Sequence, residues 1–175
     1  MDPIRSEPSE APKIMSIDDI EFMVRRTDKY LWQLWLALGF GLRTHEVDTA
    51  HIMNDCVIVD GLSNKTRQRR AIPIPDYLKP IPEFSKLKWP PSRLWSTMGM
   101  EQYRGVDNIL RHTAASYWFV GLGQDSRQAS MLMGHSEDVF FRHYRALVAE
   151  YEFIRWKAIW QWRLEKAKTV TEFSL

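Results

Sequence analysis

Residues 30–40, YLWQLWLALGF, are apolar on nearly every side of a helix, and this stretch constrains the fold more than any other. A helix without a polar face has to be surrounded by other elements, so we predict that it is buried. Gly39 and Gly41 interrupt the segment, and the following LRTHEVDTAHI is expected to resume as helix. A chain of 175 residues is long enough to form one domain around such a core.

The remaining patterns predict a mainly helical α+β fold with a small β-hairpin. Ser16, followed by Asp18 and Asp19, is typical of a helix N-cap, and this helix should run through IDDIEFMVRR. CVIVDG and RRAIPIP are short and β-branched, and the polar LSNKTRQ lies between them, which favours a hairpin. Six prolines between residues 73 and 91 predict an irregular segment, and helices are expected again from about Asp107.

The composition excludes several classes of protein. The single cysteine, Cys56, rules out an internal disulfide framework and fits a reducing compartment. No run of eighteen apolar residues is present, and the acidic, proline-containing start lacks the order of a signal peptide. We therefore expect a cytoplasmic protein, with residues 1–14 as a flexible tail or linker remnant and 15–175 as one domain.

The charge distribution suggests a polyanionic partner. Residues 61–95 contain eight basic and two acidic side chains, whereas residues 1–30 are slightly acidic. A basic segment on a nearly neutral chain is typical of a nucleic-acid contact. The same pattern also fits a solvated loop, so charge alone leaves both interpretations open.

Four short motifs follow one another in the order GLRTHE, NKTRQRRAIPI, ILRHT and GHSEDVFFRHY. Each is common alone, but over residues 15–150 their order and spacing resemble the catalytic domain of the tyrosine recombinases, the phage integrase family. The resemblance implies a site-specific recombinase or integrase of a mobile element that acts on double-stranded DNA and needs no cofactor. It also implies homo-oligomers on DNA, formed through the C-terminal helix, and the family's separate N-terminal core-binding domain would be absent.

The resemblance assigns a role to individual positions. The matched residues are the two catalytic arginines Arg43 and Arg111, the accompanying acid Glu46, the catalytic lysine Lys65, the late histidine His135 and the nucleophile Tyr144. Arg67, Arg69 and Arg70 on the hairpin would bind DNA, and no residue would bind a metal.

This set of side chains suits phosphoryl transfer. Two arginines can hold the non-bridging oxygens of a phosphodiester with planar forks that stay charged. Tyr144 would attack phosphorus and hold the DNA as a 3′-phosphotyrosine, while Lys65 protonates the leaving 5′ oxygen.

The spacing of His135 and Tyr144 predicts that two separate helices meet near His135. Nine residues of straight helix would separate the two side chains by about 13.5 Å, too far for both to reach one phosphate. We therefore expect a helix to end near Gly134 and another to begin just after Ser136. Phe140, one turn before Tyr144, would anchor the second helix.

One departure from the family concerns Asn108, which stands where the family usually has histidine. Asparagine can donate a hydrogen bond but cannot take the proton of a tyrosine, so the resemblance implies a slower reaction that Asn108→His would accelerate. The stretch from Lys65 to Arg111 is also short. An inactive DNA-binding relative is therefore an alternative.

Other readings need no catalysis. Tyr144 would then be an ordinary core tyrosine, Arg43 and Arg111 would form surface ion pairs, and the C-terminal tryptophans would bind a protein. A metal site is a further alternative, but the spacing of the histidines and Cys56 fits no zinc pattern.

Overall fold

The computed structural model describes residues 12–61, 69–89, 91–134, 136–144 and 147–172, and gives the backbone alone at 91, 92, 139, 141–143 and 169–172. Lys65, Arg67 and His135 lie outside the described residues, as does most of the predicted tail.

The chain is mainly helical with one small antiparallel sheet, as the sequence predicts. The helices of the described part are α1 (Ile17–Arg26), α2 (Leu31–Leu34), α3 (Thr44–Val47), α4 (Pro91–Thr97), α5 (Ile109–Gly121), α6 (Ser126–Met133), α7 (Glu137–Tyr144) and α8 (Glu150–Glu172). The strands are β1 (His51–Met53), β2 (Cys56–Val59) and β3 (Arg70–Pro73), in the order β1-β2-β3. Two 3₁₀ turns, Asp76–Leu78 and Glu101–Tyr103, lie in the connections.

Helix α1 begins and ends with side-chain caps. Ser16 is the N-cap, and its hydroxyl accepts a hydrogen bond from the Asp19 N–H at 3.2 Å. At the other end the buried guanidinium of Arg163, from α8, donates to the carbonyls of Val24 at 3.1 Å and Thr27 at 2.8 Å. A cation at the carbonyl end of a helix satisfies orphan acceptors and the helix dipole, so Arg163 fixes α8 against α1.

The apolar segment is buried, as predicted. Helix α2 continues directly into a π-helical stretch, Trp35–Gly39, and the side chains of residues 31–40 are all buried. The wider turn leaves carbonyls for other partners: the indole N–H of Trp118 on α5 donates to the Gly39 carbonyl at 2.7 Å. The segment thereby forms the centre of the core.

The sheet has one strand more than the sequence predicts. The helix expected through LRTHEVDTAHI ends at Val47, and His51–Met53 pairs with β2 instead. Asn54 and Asp55 connect the two strands with φ of 51° and 56°. Positive φ at both central residues is what a tight two-residue hairpin turn requires, and Asn and Asp tolerate it.

The two predicted arms of the hairpin pair as expected. β2 and β3 are antiparallel, with Val57 opposite Ile72 and both side chains fully buried. The predicted tip, residues 62–68, lies outside the described residues. Beyond β3 the proline-rich segment is irregular, and the buried amide of Gln33 donates to the carbonyl of Ser85 at 3.1 Å, which holds the segment on α2.

The chain after Asn108 consists of helices, as predicted, whereas α4 (Pro91–Thr97) forms a helix within the segment that the sequence predicts to be irregular. Helix α6 ends at Gly134, which has φ of 64° and closes the helix with its N–H on the carbonyls of the last turn. Helix α7 then begins at Glu137, so the predicted break between His135 and Tyr144 is confirmed. Trp156 and Trp160 of α8 are buried within this chain. Among the described helices, none is long and apolar enough to span a membrane.

Candidate active site

A buried carboxylate lies where the GLRTHE, β3 and α5 segments meet. Glu46 on α3 is fully buried and accepts hydrogen bonds from the Arg43 backbone N–H at 2.9 Å and from Arg43 Nη1 at 3.1 Å. Arg70 Nη2 lies 3.0 Å from one carboxylate oxygen and Arg111 Nη1 lies 3.7 Å from the other. We call these four residues the arginine cluster.

The charges in the cluster determine the ionisation of Glu46. Burial alone would raise its pKa, but the Arg43 backbone N–H and the charges of Arg70, Arg111 and Arg43 outweigh burial and lower the pKa. Glu46 is therefore ionised at neutral pH and partly offsets three positive charges. The cluster keeps a net positive charge.

Arg111 is held by backbone carbonyls from two different segments. Its side chain is only 3% exposed, and it donates through Nη1 to the Gly41 carbonyl at 2.7 Å and through Nη2 to the Met133 carbonyl. Burial and the neighbouring charge of Arg43 lower the pKa of Arg111 to about 9, so it is charged at neutral pH. Its Nε has no hydrogen-bond partner among the described residues.

The close approach of these segments requires glycine at position 41. Gly41 has φ of 66°, and a Cβ there would lie 2.8 Å from Met133 Sδ and 3.2 Å from Ala114 Cβ. The glycine of GLRTHE thus lets the loop carrying Arg43 lie directly on α5 and α6.

Arg70 begins β3 and Arg69 directly precedes it, and the two side chains lie in different environments. Arg69 is exposed and lies 3.8 Å from Asp60, as a surface cation would. The side chain of Arg70 is only 9% exposed and donates through Nη1 to the Met133 carbonyl at 2.8 Å. The structure thus places Arg70 in the arginine cluster, whereas the sequence suggested an exposed DNA contact for both residues.

Tyr144, the last residue of α7, is 1% exposed, and its hydroxyl lies 2.5 Å from Nδ1 of His112. The ring of Phe140 is 4.7 Å from the Tyr144 ring and is fully buried, which confirms its predicted anchoring position. Burial raises the pKa of Tyr144 to about 12, while the charges of Arg111 and Arg43 act in the opposite direction. The phenol is therefore protonated at neutral pH, and the positive charges of both arginines favour its ionised form.

Asn108 immediately precedes α5 and has a left-handed backbone, with φ of 55° and ψ of 23°. The sequence predicts helix from about Asp107 and so places Asn108 inside it. Although it is the N-cap residue instead, it lines the same cavity as Arg111 and Arg43. This cavity has a volume of about 90 Å³, and Thr44, Trp89 and Trp95 also line it.

The structure therefore brings Arg43, Glu46, Asn108, Arg111 and Tyr144 into one region. It adds His112, to which sequence reasoning gave no role at the site, and Arg70, which the resemblance assigned to DNA binding. His112 directly follows Arg111, but consecutive residues of a helix point in different directions, so the sequence did not indicate that both reach the site.

Comparison of the chain with protein-family models, with curated proteins and with solved structures finds no match. Assignment of a function therefore depends on the chemistry and geometry of the residues described above.

Proposed function

We propose that this chain is the catalytic domain of a tyrosine recombinase, which breaks and rejoins DNA strands through Tyr144. The observation that carries the proposal is the Tyr144 hydroxyl, buried in the field of Arg43 and Arg111. These three residues come from three separate motifs and span a hundred positions of sequence. A tyrosine with a purely structural role has no need for the charges of two arginines that act on its hydroxyl.

The arginines are suited to bind a phosphodiester. Arg111 has five N–H donors, of which the Gly41 and Met133 carbonyls use two, and Nε has no partner among the described residues. Arg43 is about a quarter exposed and lines the 90 Å³ cavity with Asn108. Donors held in position by the protein stabilise the charge that develops on the phosphoryl oxygens.

The reaction is a pair of transesterifications. Tyr144 Oη forms a bond to phosphorus, the bond from phosphorus to the 5′ oxygen breaks, and the DNA 3′ end stays on the protein as a phosphotyrosine. A 5′-hydroxyl then attacks this ester and restores a phosphodiester, so no external energy source is needed. On the family resemblance, Lys65 supplies the proton to the leaving oxygen and His135 donates to the phosphate.

The partner of this activity is double-stranded DNA. The exposed Arg69, and Arg67 by the resemblance, would contact its backbone. Assembly of several copies on DNA through α8 is part of the same proposal. Exposed apolar side chains of α8, Ile154 and Trp162, remain available for such contacts after Trp156 and Trp160 are buried.

A non-catalytic DNA-binding relative is the second candidate, and the hydrogen bonds of Arg111 favour it. Both terminal nitrogens of its guanidinium already donate to backbone carbonyls, which gives Arg111 a structural role. Such a protein would bind DNA with a steep dependence on salt and would form no covalent adduct.

The test is covalent capture of DNA. Nicked duplexes, labelled at the 5′ end and randomised around the nick, trap a phosphotyrosine because the short fragment released by cleavage diffuses away. Wild-type protein should give a labelled protein band on a denaturing gel, and peptide mapping should place the DNA on Tyr144.

Two tyrosine variants complete the test. Tyr144→Phe should abolish the band, and Tyr151→Phe, at an exposed position on α8, should retain it. Absence of an adduct with the wild type, or an adduct that persists in Tyr144→Phe, would overturn the catalytic proposal. Salt-dependent binding without an adduct would instead support the second candidate.

A further inference from the structure

The hydroxyl of Tyr144 is hydrogen-bonded to a histidine that the family resemblance did not single out. Nδ1 of His112 lies 2.5 Å from the hydroxyl oxygen, and the two rings are 5.7 Å apart at an angle of 31°. His112 belongs to the first turn of α5, and Tyr144 is the last residue of α7. The contact thus joins two helices that meet at the candidate active site.

A buried tyrosine needs a base before it can attack phosphorus. Because burial raises the pKa of Tyr144 to about 12, the phenol rarely ionises by itself at neutral pH. Asn108 lines the nearby cavity, but its side-chain amide is not a base at neutral pH. The neighbouring arginines stabilise a phenolate but cannot accept a proton.

His112 has the position and the chemistry of a proton acceptor. Its backbone N–H donates to the Asn108 carbonyl at 2.8 Å, and its own carbonyl accepts from the Ser116 hydroxyl at 2.9 Å, so the residue is fixed in α5. A neutral ring with its hydrogen on Nε2 presents Nδ1 as an acceptor to the phenol.

We propose that His112 is the general base that removes the proton of Tyr144, an inference that rests on the function proposed above. As the Tyr144 oxygen bonds to phosphorus, its proton moves to Nδ1 of His112. The electron pair of the breaking bond stays on the 5′ oxygen, which takes a proton from the general acid. In the reverse step His112 returns its proton to the departing phenol, so the imidazole is regenerated.

Side-chain substitution separates this role from a purely structural one. His112→Gln keeps a side chain of similar length that can still bond the phenol, but it cannot accept a proton. We expect it to slow single-turnover cleavage of the nicked substrate by at least about 100-fold, the usual contribution of a general base. The matched control is His51→Gln, at an exposed position on β1, which should leave the rate unchanged. Thermal unfolding of both variants verifies that they are folded.

A second substrate identifies which proton transfer is lost. Replacing the bridging 5′ oxygen with sulfur gives a leaving thiolate that needs no protonation, because thiols are far more acidic than alcohols. Loss of a general acid is rescued by this substrate, whereas loss of a general base is not. His112→Gln should therefore remain slow on the sulfur substrate.

The outcomes distinguish this inference from the proposed function. If wild type forms the Tyr144 adduct and His112→Gln forms it at a similar rate, His112 is not the base while the recombinase assignment stands. Rescue of His112→Gln by the sulfur substrate would place His112 at the leaving group and also overturn the inference. If wild type forms no adduct, the proposed function itself fails.

Discussion

Replacing Glu46 with glutamine should destabilise the fold more than any other single-charge change we consider. Glutamine has the same size and shape, so the substitution opens no cavity and removes only the negative charge. The carboxylate of Glu46 is fully buried and is the acidic partner of Arg43, Arg70 and Arg111. In the variant one of its two oxygens becomes an NH₂ group that faces these donors.

The expected magnitude follows from how far each arginine can relax. Arg43 is about a quarter exposed and can turn to solvent, but Arg70 and Arg111 are 9% and 3% exposed and cannot. Leaving a buried charge without its partner costs about 3–5 kcal/mol, a large share of the about 5–15 kcal/mol of a typical domain. For a chain of this size that corresponds to a fall in Tm of about 6–20 °C.

Urea unfolding followed by tryptophan fluorescence measures the difference in free energy of unfolding between wild type and Glu46→Gln. The control variant is Glu101→Gln. Glu101 is more than half exposed and pairs with Arg104 at 2.8 Å, so its loss should cost less than about 1 kcal/mol. Because the pKa of Glu46 is lowered in the fold, its stabilisation is complete above the ordinary value of about 4.3 and disappears as pH falls through the folded pKa. The gap between wild type and Glu46→Gln should therefore narrow below about pH 4. Equal losses in the two variants at pH 7 would refute the central role of Glu46.

Three further predictions concern single positions near the site. Gly134→Ala should lower the free energy of unfolding by about 1–3 kcal/mol, because φ at this position is 64° and an added Cβ would overlap Nη1 of Arg70. An unchanged urea midpoint would contradict this steric argument. Burial raises the pKa of Tyr144 to about 12, above the ordinary value of about 10. The contribution of this phenol to stability is therefore complete below pH 10 and is lost as pH rises towards 12. Between pH 10 and 12 the free energy of unfolding of Tyr144→Phe should therefore fall by about 3 kcal/mol less than that of wild type. Parallel curves of unfolding free energy against pH for the two proteins would show that burial does not raise the pKa of the phenol. With His112 as the proposed base, Asn108→His should change the single-turnover cleavage rate by no more than about threefold, and a tenfold acceleration would argue against His112.

The features that could be predicted from sequence are those encoded by neighbouring residues. The all-round apolar segment 30–40 has to be buried, and glycine followed by serine and acids ends one helix and starts the next at Gly134. The strand β1 could not be predicted in the same way, because three residues are too few to show alternation. The local sign of this strand is the pair Asn54 and Asp55, which tolerate positive φ. Such a pair indicates a hairpin turn only when the segments on both sides are already known to be strands.

The arginine cluster depends on tertiary contacts that no local pattern encodes. Arg69 and Arg70 are neighbours at the start of β3, and nothing in the local sequence shows that Arg70 alone points inward to Glu46. The spacing of Arg43 and Glu46 indicates a contact within one turn of helix. That the same carboxylate also pairs with Arg70 of β3 and Arg111 of α5 depends on the loop before α3, which packs on α5 and α6 at Gly41.

The roles of Asn108 and His112 show how the fold changes a conclusion drawn from a motif. From sequence, Asn108 takes the place of a base, and its chemistry implies a slow enzyme. In the structure, position 108 is the N-cap of α5 with φ of 55°, a conformation that asparagine adopts more readily than most residues. The backbone thus gives a reason for asparagine there. Four residues later in α5, His112 lies in hydrogen-bond contact with the Tyr144 hydroxyl. If His112 is the base, as proposed above, the first turn of α5 supplies what position 108 lacks, and Tyr144 can still serve as the proposed nucleophile.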